Sequence, residues 1–183
     1  HISGCHRRVD NAGADGIYVW GVQADPLAAK GKKGAELIAK AVEAAKLHSV
    51  PAGVGGHDLN VVKVCEAEGV PADFYIKTFH HHKYPTGPKP EEIKGPYNEF
   101  PGYWCATPDE HIKVMSKVTK PWIAFKIMAA GAIPPQDAFG WAFNNGADHI
   151  LVGMFDFEIA QDVEIGNKAL AAAKGRTGRP WRN

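Results

Sequence analysis

The 183-residue sequence predicts an α/β protein, a parallel (β/α)8 TIM-type barrel with its five C-terminal strand–helix units present and its N-terminal units missing ahead of His1. Three observations lead there. Strand-like apolar runs alternate with helical ones, an order that gives parallel strands joined by right-handed crossovers. An Ala-Asp signal at Ala14-Asp15, Ala72-Asp73 and Ala147-Asp148 precedes three of these runs, each time after a glycine suited to closing a helix. Two runs carry a lysine in their middle, Lys77 and Lys126, where burying an ammonium is costly unless it has a use. Five strands cannot close a barrel of eight, so an open doubly wound sheet is the other architecture; polar residues at successive strand ends favour the barrel.

The elements follow in order. A strand is expected over 16–21 and a helix over about 34–48, with Leu37, Ile38, Ala41, Val42 and Ala45 at helical spacing. A strand over 51–55, a helix over about 59–68 and a strand over 74–79 come next. The loop 80–106 is long and rich in proline, glycine and aromatics, which predicts an ordered functional lid over the catalytic face. Thr107-Pro108-Asp109-Glu110 supplies a cap, a first-turn proline and an acid for a helix with Ile112 and Met115 facing in. A strand over 122–129, a helix over 135–144, a strand over 149–155 and a helix over 159–174 complete the chain. Strand alternation places Lys77 with Tyr75 and Phe79, and Lys126 with Trp122, Ala124 and Met128. Both lysine-bearing faces are expected to turn inward.

A hydrophobic content of 45% and 183 residues suit a single domain spanning 1–183. The net charge of +1, with acids and bases interspersed, offers no field for nucleic acid or an anionic membrane. Cys5, Cys65 and Cys105 are odd in number and widely spaced, which points away from disulfides or a zinc knuckle and towards a reducing, cytoplasmic compartment. No membrane-spanning run or signal peptide is visible, and the basic tail 174–182 reads as a solvated terminus. An uncovered sheet edge would make a homo-oligomer the expected assembly.

Ala72-Asp73-Phe74-Tyr75-Ile76-Lys77-Thr78, the segment 106–115, Phe125-Lys126-Ile127-Met128-Ala129-Ala130-Gly131 and Ile150-Leu151-Val152-Gly153 resemble strand regions of class I aldolases of the deoxyribose-phosphate aldolase type, over residues 72–153. The resemblance implies Lys77 as the Schiff-base nucleophile and Lys126 as the cation that lowers its pKa. Moving an amine from about 10.4 to about 7 takes roughly 4 to 5 kcal/mol, which a second ammonium in a dry interior can supply. Phe79-His80-His81-His82 stands where that family has small residues, Ala132 replaces a glycine, and Asp156 would repel a phosphate. These departures bear on phosphosugar specificity rather than on the barrel.

The other candidate residues are His57 and His80 for proton transfer, with Trp20, Gln23, Asp58, Gly131, Gly153 and Asp156 for substrate binding. The expected activity is a cofactor-free lyase acting on a small carbonyl compound through a lysine imine. One alternative is a metal-dependent lyase, isomerase or hydrolase holding zinc or another divalent ion on His57, His80, His82 and Asp58. Another is a non-catalytic barrel or scaffold protein in which the long aromatic loop makes a protein interface; separately, a strand register shifted by one residue would place the lysines at strand ends, snorkelling or paired to Asp15, Asp58 or Asp156. The glycines 53, 55 and 56 admit either a ligand or a neighbouring side chain close to the backbone.

Overall fold

The computed structural model describes residues 13–173; Cys5 and the basic tail lie outside them. The fold is mixed α/β, with one parallel sheet in the order β1-β2-β3-β4-β5 and flanking helices. The strands are β1 (Ile17–Val19), β2 (Ala52–Gly56), β3 (Phe74–Thr78), β4 (Trp122–Phe125) and β5 (His149–Leu151). The helices are α1 (Gly21–Ala28), α2 (Lys32–Lys46), α3 (Leu59–Ala67), α4 (Pro108–Met115), α5 (Pro135–Asn144) and α6 (Ile159–Ala172). Among the described residues no helix is long and apolar enough to cross a membrane. Composition points to one domain, and the chain divides into two compact units: the first runs to Gly56 and takes in Asn60–Tyr75, the second takes in His57–Leu59 and the chain from Ile76.

In the first unit β1 pairs with β2, Ile17 opposite Ala52, and α1 and α2 pack on this pair. The buried stripe of α2 is Gly34, Ala35, Ile38 and Val42; Leu37, expected to face in, is 49% exposed. Helix α1 has no counterpart in the sequence reading, because Pro26 inside it is a helix breaker by rule. A Cβ on Gly34 would lie 1.7 Å from the Leu27 carbonyl oxygen, so glycine is what lets α1 and α2 meet there. The glycines of β2 make room for neighbouring side chains: a Cβ on Gly53 would strike the Phe74 ring at 2.4 Å, and one on Gly55 would press the Tyr18 ring at 3.1 Å. On the opposite face of β3, the Tyr75 hydroxyl donates to Glu66 of α3 at 2.6 Å, and burial keeps that phenol protonated far above its ordinary range.

The repeated Ala-Asp signal has a repeated physical meaning. Asp73 donates its N–H to the Ala52 carbonyl at 2.8 Å and accepts the Ala52 N–H on Oδ2 at 2.8 Å, clamping the start of β2. In the second unit Asp148 does the same to Trp122 at the start of β4, with 3.1 Å and 2.9 Å bonds. The glycine before each signal is left-handed, φ +65° at Gly69 and +104° at Gly146. Val70 N–H bonds to Cys65 O and Gly69 N–H to Glu66 O, while Ala147 bonds to Ala142 and Gly146 to Phe143. These are paired six-to-one and five-to-two closures of a Schellman cap, which deliver the chain from helix to clamp.

In the second unit β4 pairs with β5, Phe125 opposite Leu151, and α5 packs on β5 and on α6. Strand β4 is shorter than expected. It ends at Phe125, Lys126 takes a left-handed φ of +53°, and a short turn at Ala129–Gly131 follows. The face assignment that groups Lys126 with Trp122 and Ala124 therefore fails at the strand end. Helix α4 begins at Pro108 as expected, but Thr107 makes no side-chain cap and the buried face is His111 and Met115. Strand β5 likewise stops at Leu151.

Candidate active site at the ends of β3, β4 and β5

Lys77 is 1% exposed, and its strand face is the one that meets helices. Phe79, two residues on, touches the rings of His111 in α4 and Trp141 in α5, with centroids 4.8 and 4.3 Å away. The expectation of an inward-facing Lys77 is thus corrected: its side chain lies in the layer between sheet and helices. There the ammonium donates to the Thr78 carbonyl and to Thr78 Oγ1, both at 2.9 Å. Thr78 Oγ1 in turn donates to the Trp104 carbonyl.

The histidine triplet fastens the long loop. His80 Nε2 accepts the Trp104 N–H at 2.9 Å and its Nδ1–H donates to the His81 carbonyl at 2.9 Å, so both nitrogens are committed and the tautomer is fixed. Burial, chiefly, lowers the His80 pKa to about 4. His81 Nε2 lies 3.2 Å from Asp137 Oδ2 while its Nδ1 accepts the Lys83 N–H. His82 Nε2–H donates to the Cys105 carbonyl at 2.7 Å. The loop itself is ordered, with Asn98 and Tyr103 exchanging both backbone hydrogen bonds and Tyr84 donating to Gly102.

These bonds remove His80 from the proton-transfer role expected of it, since neither ring nitrogen can turn to a substrate. They also spend the His82 nitrogen that meets Cys105. Among the described residues no group of three or more His, Cys, Asp or Glu is placed to hold a metal ion. His57 is half-buried, its ring 4.7 Å from that of Tyr97. Asp58 follows it at the mouth of the same turn, also half-buried.

Lys126 stands in a different place. It is half-exposed, and its ammonium lies 4.7 Å from the centre of the Trp104 ring and 5.9 Å from that of Phe125. Together with Met128, Gly131, Leu151, Gly153 and Phe155 it lines a cavity of about 380 Å³ at the C-terminal ends of β4 and β5. Three expected site residues, Lys126, Gly131 and Gly153, therefore meet in one pocket. Asp156 does not join them: it is exposed and accepts the N–H of Phe157 in its own turn. Trp20, 58% exposed, and Gln23 lie in the first unit, at the start of α1.

The backbone beneath this pocket is held in an uncommon conformation. Lys126, Ala129 and Ala130 have φ of +53°, +46° and +57°, and Gly131 follows at +88°. Left-handed residues other than glycine, asparagine and aspartate are strained, and clusters of them gather at functional sites. The sequence signal for this strain is the absence of glycine at 129 and 130, which reads instead as an ordinary strand end.

A second buried cluster lies behind Lys77. Cys105 Sγ is 3.8 Å from His111 Nδ1, and the His111 ring stacks on Trp122 at 5.0 Å. Among the described residues His111 Nε2 and Trp122 Nε1 find no hydrogen-bond partner. Burial first and the Lys77 charge second hold His111 neutral, while burial pushes the Cys105 thiol up. Comparison with protein-family models, curated proteins and solved structures finds no match to this chain.

Proposed function

We propose that this protein is an imine-forming, aldolase-like lyase, built on a (β/α)8-type barrel and acting on a small carbonyl compound through Lys126. The barrel reading is supported by the strand order, which follows chain order with every strand parallel; a doubly wound sheet reverses its order at a switch point. The chemistry rests on one observation: Lys126 is the ionisable side chain that lines the cavity at the C-terminal strand ends, where barrel enzymes keep their reacting groups.

In its neutral form the Lys126 amine bonds to the carbonyl carbon, and its two N–H hydrogens leave with the carbonyl oxygen as water. A proton from solvent completes the protonated imine, which draws in the electron pair of the bond between the α and β carbons as that bond breaks, the β fragment leaving as an aldehyde while its hydroxyl proton passes to solvent. Protonation of the resulting enamine at its α carbon, followed by hydrolysis, releases the remaining carbonyl product and returns the amine. This reverses the roles that the aldolase resemblance implies, because Lys77 is buried and engaged with Thr78. Lys77 then serves as a fixed cation that anchors Thr78 and, through it, Trp104.

Borohydride reduction in the presence of aldehydes and ketones, followed by peptide mapping, tests the proposal. A reduced adduct on Lys126 supports it. An adduct on Lys77 restores the implied roles, and no adduct with any carbonyl compound refutes imine chemistry.

A further inference from the structure

We infer that the carbonyl compound held at Lys126 has an apolar body, an aryl or branched alkyl group, rather than the hydroxyl-bearing chain of a sugar. The inference rests on the imine reading for the word carbonyl, and on the pocket alone for the word apolar. Apart from Lys126, the lining side chains offer no hydrogen-bonding group: they are Phe125, Ile127, Met128, Leu151, Val152 and Phe155, with Ala130 and two glycines. A sugar hydroxyl entering such a cavity gives up water and finds no side-chain partner.

The walls are also incomplete. Leu151 is 43% exposed and Phe155 66% exposed, so apolar surface at the rim still faces water and gains by being covered. No carboxylate lines the pocket, and Lys126 forms no ion pair among the described residues. One polar anchor beside a greasy wall suits a ligand with one polar end. A cavity of about 380 Å³ lies at the small end of the range for ligand sites, which fits a single ring or a short branched chain.

The test uses the full chain and two matched pairs. Binding of 3-phenylpropan-1-ol and of glycerol 3-phosphate is measured by calorimetry, and borohydride trapping is measured with 3-phenylpropanal and with glyceraldehyde 3-phosphate. The expected result is a preference of about 10- to 100-fold for the phenyl member of each pair. That preference should shrink in Phe155→Ser, a change at an exposed position that leaves folding intact. Tight phenylpropanol binding with no trapping of any aldehyde upholds the apolar pocket and sinks the imine. Equal trapping of both aldehydes with no alcohol preference upholds the imine and overturns the apolar inference. Retention of the full preference in Phe155→Ser also overturns it, because the ligand then sits elsewhere.

Discussion

The Lys126 ammonium lies 4.7 Å above the ring of Trp104, whose own carbonyl accepts the hydroxyl of Thr78. Thr78 also receives the Lys77 ammonium, so one tryptophan links the two lysines, Lys126 through its ring and Lys77 through Thr78. One cation faces a cavity while the other is sealed behind the sheet, and this asymmetry separates their expected behaviour.

Lys126→Met should abolish the reduced adduct while changing stability little, because the side chain is half-exposed and its ring contact is worth about 0.5–1 kcal/mol. Lys77→Ala should cost about 2–4 kcal/mol through the void it leaves, with Lys77→Met recovering part of that. Denaturant titration and adduct mapping on the same samples check both. Equal loss of adduct in a folded Lys77→Met variant would contradict the assignment.

Thr78→Val keeps the shape and removes the hydroxyl that joins Lys77 to Trp104. Losing this buried partner should cost about 1–3 kcal/mol. Thr78→Ser should stay near the parent, and urea midpoints compare the three.

His80 titrates near pH 4 in the folded chain, below its ordinary value of 6.5. Between those values only the unfolded chain takes up the proton, so stability is full above pH 6.5 and falls as pH drops towards 4. The depression corresponds to about 3 kcal/mol, and His111 acts in the same direction. Melting temperatures from pH 7.5 to 4 should fall steeply, and less steeply in His80→Gln, which starts from a lower value. A parent curve that is flat over this window would disprove the assignment.

Asp148→Ala should leave the buried Trp122 N–H without its side-chain acceptor and cost about 1–3 kcal/mol. Asp148→Asn retains an acceptor oxygen and should cost less. Thermal melts of the two variants decide whether the acceptor is what matters.

Ala130 has φ +57° and ψ +35°, a left-handed conformation costing about 1–2 kcal/mol for a residue with a Cβ. Glycine there recovers this cost but adds about 0.5–1 kcal/mol of unfolded-state entropy. Ala130→Gly should therefore be neutral to stabilising by about 1.5 kcal/mol at most, as a rise in urea midpoint.

Much of the architecture was legible in the sequence because strands and helices were marked by period and punctuation. Gly69 and Gly146 do close helices, and Asp73 and Asp148 do open strands. What escaped was of two kinds. Helix α1 was hidden by Pro26, where local chemistry argued against the element that packing made. The faces were harder, since alternation says which residues share a side but not which side holds the helices. The Phe79 ring against His111 of α4 and Trp141 of α5 decides that for the end of β3, and alternation puts Lys77 on the same side. At Lys126 the alternation itself stops, because a left-handed residue ends the strand. The histidine triplet looked like a ligand set; five of its six ring nitrogens prove to be spent on the backbone of residues 81, 83, 104 and 105 and on Asp137.

In the second unit the Asp148 clamp grips the entrance of β4, and the cavity opens at the opposite, exit end of β4 and β5. Because that clamp and the cavity sit at opposite ends of β4, substitutions at the cavity rim leave the hydrogen bonds that start the strand intact.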